Sequence, residues 1–165
     1  MAEEEYGKYG KLKLKEGELL VRKGVLKFPA SPEDRPLLIG GKCKLCGDIS
    51  FPPRHFCPMC GAETEEFPFG NFAEVVTYTV VRQDTMGIKA PYIMAMVNFP
   101  DLNDPELAVI TQIADCPIED IRIGMKVELI IGKVRSTMMG AMMERFGMPS
   151  DSIIGYKYRP IKEAN

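Results

Sequence analysis

Four of the five cysteines fall within eighteen residues, as the pairs Cys43/Cys46 and Cys57/Cys60 with ten residues between them. Each pair is a C-x-x-C followed at once by glycine, Gly47 or Gly61. Such a turn converges two thiolates on one point, aims backbone amides at the sulfurs, and uses the glycine for the positive φ that closes it. Two turns supply four sulfur ligands in tetrahedral array, the donor set of structural Zn²⁺ with no open position for water. The spacer is shorter than the roughly 15–20 residues of the common paired-knuckle pattern, yet it is long enough for a hairpin. Rubredoxin-like iron would use the same sulfurs and colour the protein; zinc, which leaves it colourless, is the reading adopted. Two disulfides would suit a small secreted scaffold, but the sequence opens with the acidic MAEEEYGKYG, not a signal segment. A redox C-x-x-C needs one pair at a helix start after a strand, not two in Gly/Pro-rich turns.

The 165 residues suffice for a metal module and a second domain. Hydrophobic residues make up 45% and charged ones 27%, with a net charge of −2. That balance describes a soluble globular protein and argues against a general binder of polyanions. No apolar run is long enough to span a bilayer, so no membrane role is expected and the cytoplasm is the default compartment.

Residues 1–36 read as a basic N-terminal arm and linker. Lys8 to Lys27 carries seven basic residues against Glu16 and Glu18, and Lys11 to Lys15 alternates Lys-Leu as a strand with one charged face would. The plain reading is a solvated arm or edge strand guarded by lysine; the sharper one is an arm lying on a partner. Residues 28–36, FPASPEDRP, form a proline-rich linker into the ribbon assigned to residues 37–68.

From residue 69 to 165 the pattern is β. Residues 72–82, 92–99, 107–114, 127–134 and 153–158 are β-branched or aromatic runs separated by Gly, Pro, Asn and Asp. Residues 100–106, PDLNDPE, read as a hairpin loop. Five strands with a helix-poor connection over 116–123 predict a small closed barrel of the OB type. The fold expected is therefore mainly β, a four-cysteine zinc ribbon with rubredoxin-like knuckles followed by a five-stranded OB-type barrel. Phe72, Tyr78, Tyr92 and Phe99 read as core residues of the strands. A basic groove with exposed aromatics, which a single-stranded nucleic-acid site requires, is therefore not expected.

An excursion over 135–150 interrupts the last two strands. Its segment MMGAMMERFGM holds five of the eleven methionines. A short helix there would align Met138, Met142 and Phe146 on one face and Met139 with Met143 beside it. Core filling is the plain reading, but a dense cluster of adaptable side chains in a connection suits a contact with a partner or an apolar ligand. Catalytic equipment is scarce. His55, the one histidine, sits beside a site already satisfied by sulfur, and Cys116 has no base of its own. No catalytic residue is assigned.

Taken in order, LLIGGKCKLCGDISFPPRHFCPMCG, FAEVVTYTVV, APYIMAMVNFPD and IEDIRIGMKVELII resemble the zinc-ribbon/OB-fold proteins associated with acyl-CoA metabolism. The likeness spans residues 37–134. It implies a non-catalytic zinc-binding accessory subunit in a hetero-oligomer with a thiolase-fold large subunit, acting on acyl-CoA thioesters by thiolytic C–C cleavage. Within the family the chain is most similar to the branch of benzoylsuccinyl-CoA thiolases of anaerobic toluene degradation; other members partner hydratases or aldolase-like subunits. The large partner would carry the activated cysteine, and this chain would shape the interface and the CoA or acyl channel. Arg54, in the matching Pro-Pro-Arg, is the residue the resemblance offers for contact with the partner or a CoA phosphate; the plain alternative is a surface arginine.

Overall fold

The computed structural model describes residues 5–85, 87–102, 104–148 and 151–161, and all structural statements concern these. In chain order the strands are β1 (Tyr6–Gly7), β2 (Gly10–Lys11), β3 (Glu18–Leu20), β4 (Leu26–Lys27), β5 (Leu37–Cys43), β6 (Ile49–Ser50), β7 (Thr64–Phe69), β8 (Phe72–Val81), β9 (Tyr92–Asn98), β10 (Ala108–Ile113), β11 (Lys126–Ser136) and β12 (Ser152–Pro160), with helix α1 (Met138–Glu144) between the last two. Among them no helix is long and apolar enough to cross a membrane.

Strands β8 to β12 close on themselves. β8 pairs with β9, β9 with β10, β11 with β12 and β11 with β8, all antiparallel, while β10 and β12 run parallel at Ile113–Tyr158. A chain order of 1-2-3-5-4 returning to 1 is that of an OB barrel, the fold the strand pattern predicts. The period-two alternation explains the closure. Val127 and Leu129 on β11, Val75 on β8, Val97 on β9 and Val109 on β10 are buried in one shared core. Residues 116–123 connect β10 to β11 through turns without a helix, and a short 3-10 turn at Pro100–Leu102 lies between β9 and β10.

The ribbon is a second, smaller sheet centred on β5. β7 lines one edge of β5 from Leu38–Phe69 to Cys43–Thr64, and β4 and β6 share the other. β5 thus runs past the Leu-Leu-Ile of the sequence directly into the first knuckle. Ribbon and barrel share one core. Leu38 and Phe69 of the ribbon are buried in the same cluster as Val97, Phe99 and Tyr158 of the barrel. Rings join them: Phe69 meets Phe99 edge-on at 4.9 Å, and Phe51 meets Phe69 at 5.7 Å and Tyr156 at 5.6 Å. The Tyr158 hydroxyl, fully buried, donates to the Gly70 carbonyl at 2.7 Å. Gly70 lies at φ +91°, and a Cβ there would press on Leu38 and on that hydroxyl at 3.0 Å, so the corner between the two sheets requires glycine.

Two sequence expectations are corrected. The alternating Lys11–Lys15 run is not a strand beyond Lys11; residues 12–15 bend away. Lys11 is not on a solvated face but 2% exposed, its ammonium held by Glu18 at 2.6 Å and Glu5 at 2.9 Å. Lys15 also pairs with Glu5. Charge pairing thus outweighs the alternation, and it folds the basic segment onto the barrel. β2 joins β11 at Ile131–Gly10 and β3 joins β12 over residues 152–154. The second correction concerns aromatics. Phe99 is core, but Phe72 and Tyr78 are 42% and 38% exposed. Phe72 is covered by the Arg35 guanidinium at 4.4 Å, so this ring faces a cation where a core position was expected.

The lysine triad has a defined pH window. Hydrogen bonds from Lys15 and Lys11 lower the Glu5 carboxyl; Glu18 is lowered by Lys11 against its own burial. Burial works against Lys11, yet the bonds to Glu18 and Glu5 raise it. The carboxylate contributions hold above the ordinary carboxyl range and vanish as pH falls through the lowered values. The lysine contribution is complete below its ordinary value of about 10.4 and is lost as pH rises through the raised one. Lys11→Met is therefore expected to lower the thermal midpoint by roughly 5 °C at pH 7. The difference from wild type should shrink as the pH falls below about 4, measured by circular dichroism melts across pH.

Candidate metal centre

β5 delivers Cys43 to the first knuckle, and the hairpin over residues 44–56 returns the chain to Cys57. The two knuckles repeat one hydrogen-bond pattern. Gly47 donates to the Cys43 carbonyl at 3.2 Å and Gly61 to that of Cys57 at 3.0 Å. The Cys43 amide donates to Asp48 and the Cys57 amide to Ala62, both at 2.8 Å. Gly47 and Gly61 sit at φ +78° and +75°, as the sequence requires of them. Amides aim at sulfur as well: Leu45 and Cys46 donate to Cys43 Sγ at 3.3 and 3.4 Å, and Met59 donates to Cys57 Sγ at 3.4 Å.

The four sulfurs converge. Cys43 and Cys60 lie 3.4 Å apart, while Cys46 is 3.6 Å from both Cys57 and Cys60. All four fall within 4.8 Å of one another. A tetrahedron with Zn–S bonds of about 2.3 Å has edges of about 3.8 Å, so the donor set and its spacing fit a closed structural Zn²⁺ site. Cys43 and Cys57 are buried on the ribbon side, and Cys46 and Cys60 face outward. The Cys46 amide draws the Cys43 thiol down to about 6, against burial and with help from the Leu45 amide. Cys46 is pushed up to about 12, its Asp48 amide bond outweighed by the neighbouring sulfurs and burial, and Cys60 is also raised. One ligand is therefore ready as thiolate at neutral pH, and Cys46 and Cys60 give up protons as metal binds.

The remaining candidates lie apart from this centre. Arg54 is exposed on the ribbon hairpin; its carbonyl accepts from the Thr64 hydroxyl, while its side chain points outward. His55 is exposed beside it. Cys116 is half-buried, and burial, followed by the Asp120 charge, pushes its thiol above the ordinary value. The methionine segment forms α1, capped by Thr137 Oγ1, which accepts from the Gly140 amide at 2.9 Å. Met138, Met139, Met142 and Phe146 are 60–75% exposed and Met143 is half-buried. The cause is Gly140, the helix's one buried residue. Its Cα abuts Asp151, leaving no room for a Cβ. The helix thus rests on its glycine and turns its methionines outward. Sequence reasoning overlooked Leu45 and Met59, 77% and 72% exposed at matching positions of the two knuckles. The signal was present: both occupy the second x of C-x-x-C, which a closed knuckle turns outward.

Comparison with known proteins follows the same division. The family model for the rubredoxin-like zinc ribbon domain of ChsH2 matches residues 31–66, and that for the C-terminal OB-fold domain of ChsH2 matches residues 68–131. A DUF35 domain-containing scaffold protein of Pyrococcus furiosus is 37% identical over 127 residues, covering 75% of this chain and 83% of the relative. The benzoylsuccinyl-CoA thiolase subunit BbsA of Thauera aromatica is 31% identical over 127 residues, covering 76% and 78%. Among solved structures, a chain of the Ltp2-ChsH2(DUF35) aldolase matches with a TM-score of 0.55 at 21% identity, covering 75% of this chain and 84% of that one; it shares the fold.

Replacing Cys57 with Ser leaves three thiolates. Zinc content, measured by elemental analysis, is expected to fall sharply while the β signal of the barrel persists. Full occupancy in that variant would overturn the ligand assignment. In the wild-type chain, zinc uptake near pH 7 should release protons, detectable in weakly buffered solution, and the apparent affinity should fall as pH falls.

Proposed function

The chain belongs to the ChsH2-type (DUF35) family of zinc-ribbon/OB-fold proteins, and on that premise we propose that it is a non-catalytic subunit of an acyl-CoA enzyme complex. Its partner is a thiolase-fold large subunit that carries out thiolytic C–C cleavage. The observation that carries this reading is α1. A seven-residue helix that turns three methionines to solvent and buries a glycine is built for contact, not for its own core. Methionines suit a surface that repacks around a bulky acyl group. The thiol of Cys116, raised by burial, has little thiolate at neutral pH and makes a poor nucleophile. Chemistry is therefore assigned to the partner, with Arg54 on the ribbon as a contact residue. The likeness to BbsA makes benzoylsuccinyl-CoA the first substrate to test.

Purified alone, the chain should show no thiolase activity; addition of the co-purified large subunit should restore cleavage. Cys116→Ala should leave that activity nearly intact, and a large rate loss in an assembled complex would mean that the thiol takes part. Met142→Ser combined with Met143→Ser is expected to weaken assembly or raise KM for the acyl-CoA. The melting of the free chain should change far less than the roughly 2–5 kcal/mol of an emptied core position. Collapse of the free chain would return the methionines to a structural role.

A further inference from the structure

Between the 82–91 loop, the far end of β11, α1 and β12 lies a groove of about 930 Å³. The loop is fixed to the barrel by the Ser136 amide, which donates to the Gly87 carbonyl at 2.9 Å. Five cations line the groove: Lys89, Lys133, Arg135, Arg145 and Lys157. Its two carboxylates are already engaged. Asp84 accepts from the Ala90 amide at 2.8 Å, and Glu144 from Lys133 at 2.8 Å and the Ser136 hydroxyl at 2.7 Å. Among the described residues, Lys89, Arg135, Arg145 and Lys157 form no ion pair. Positive charge is thus gathered in one concavity of a chain whose net charge is −2. Lys157 is the telling member. It is half-buried on β12, and burial pushes its ammonium down; Asp115 opposes the shift and Lys133 adds to it. A partly desolvated cation facing another cation is unfavourable unless an anion joins them.

We propose that this groove binds a small phosphate-bearing polyanion. The volume is within the range of small-molecule sites, roughly 300–1,000 Å³. Several separate cations, two of them guanidinium forks, suit a ligand with more than one anionic group, and phosphate oxygens match that fork. Ile88, Val134, Met138 and Met142 form an apolar border, so the ligand carries a non-polar portion beside its charge. The border also separates this ligand from single-stranded nucleic acid. Tyr92 is the one aromatic lining residue, and its hydroxyl is bonded to Thr85 at 3.0 Å; a row of rings for stacking bases is lacking among the lining residues. The assignment rests on the groove itself and is independent of which enzyme the chain partners.

The test is calorimetric titration of the full chain at low salt with pyrophosphate, a nucleoside 3′,5′-bisphosphate, citrate and a single-stranded oligonucleotide. Pyrophosphate and the bisphosphate are expected to bind, and citrate more weakly. Arg135→Gln combined with Arg145→Gln alters exposed side chains only and should weaken both phosphate ligands by about tenfold or more. Lys27→Gln, in the ribbon sheet, should change nothing. Absence of pyrophosphate binding, unchanged affinity in the double variant, or citrate binding as well as pyrophosphate would each overturn the proposal. So would an oligonucleotide that binds most tightly and loses affinity in the same variant.

Discussion

The edge-to-face contact of Phe69 with Phe99, 4.9 Å between centroids, is the joint on which the molecule turns. Phe69 ends the outer strand of the ribbon, and Phe99 follows the second strand of the barrel. Around them Leu38, Phe51, Tyr156 and Tyr158 complete a continuous seam, closed by the hydroxyl of Tyr158 on the Gly70 carbonyl. A small sheet of short strands has little apolar area of its own. The ribbon borrows the barrel's core on one side and takes metal–thiolate bonds on the other. The orientation of the knuckles relative to the barrel is thereby fixed by side-chain packing, as a rigid two-part subunit requires.

Much of this was legible because the relevant signals are local. C-x-x-C-G encodes its own turn, hydrogen bonds and ligand geometry in five residues, so all four sulfurs could be placed from spacing. Strand alternation marked all five barrel strands to within two residues at each end, since burial on one face imposes a period of two. The exposure of α1 was anticipated from composition, but its cause, a glycine wedged against Asp151, depends on the return of the chain. What failed to read was non-local. Lys11 looked like a surface lysine because its partners Glu5 and Glu18 lie on either side of a bend that no periodicity announces. The cations of the groove are scattered over the 82–91 loop, β11, α1 and β12, and each alone looks like an ordinary surface charge. Phe72 falls outside the core because it alternates with the buried Ala73 and Val75, and Tyr78 lies in the stretch past the bulge between Val75 and Thr77 where residues 76–79 are all exposed.

The two ends of the molecule differ in kind. At the ribbon tip, Leu45 and Met59 present apolar surface on a metal-stiffened frame. At the far end of β11, the methionines of a short helix tethered through Glu144 sit beside cations from β11 and β12. The first sets its apolar side chains beside the exposed Lys44–Glu63 pair; the second sets methionines beside several cations.

The position of β12 in the chain order carries a consequence for synthesis. β12 is made last among the described elements, yet it bridges β10 and β11 and supplies Tyr158 to the seam. On the ribosome the knuckles emerge about a hundred residues earlier and can capture metal while the barrel is still an open sheet. During that interval Phe69 and Leu38 have no closed core to enter, and the nascent chain carries a finished ribbon on unfinished ground. Long-range pairing of this sort slows folding and leaves apolar strand edges exposed until the last strand arrives. The metal knuckles are then the first part of the molecule to acquire lasting structure, and a nascent chain starved of zinc would lose that early foothold before its barrel could exist.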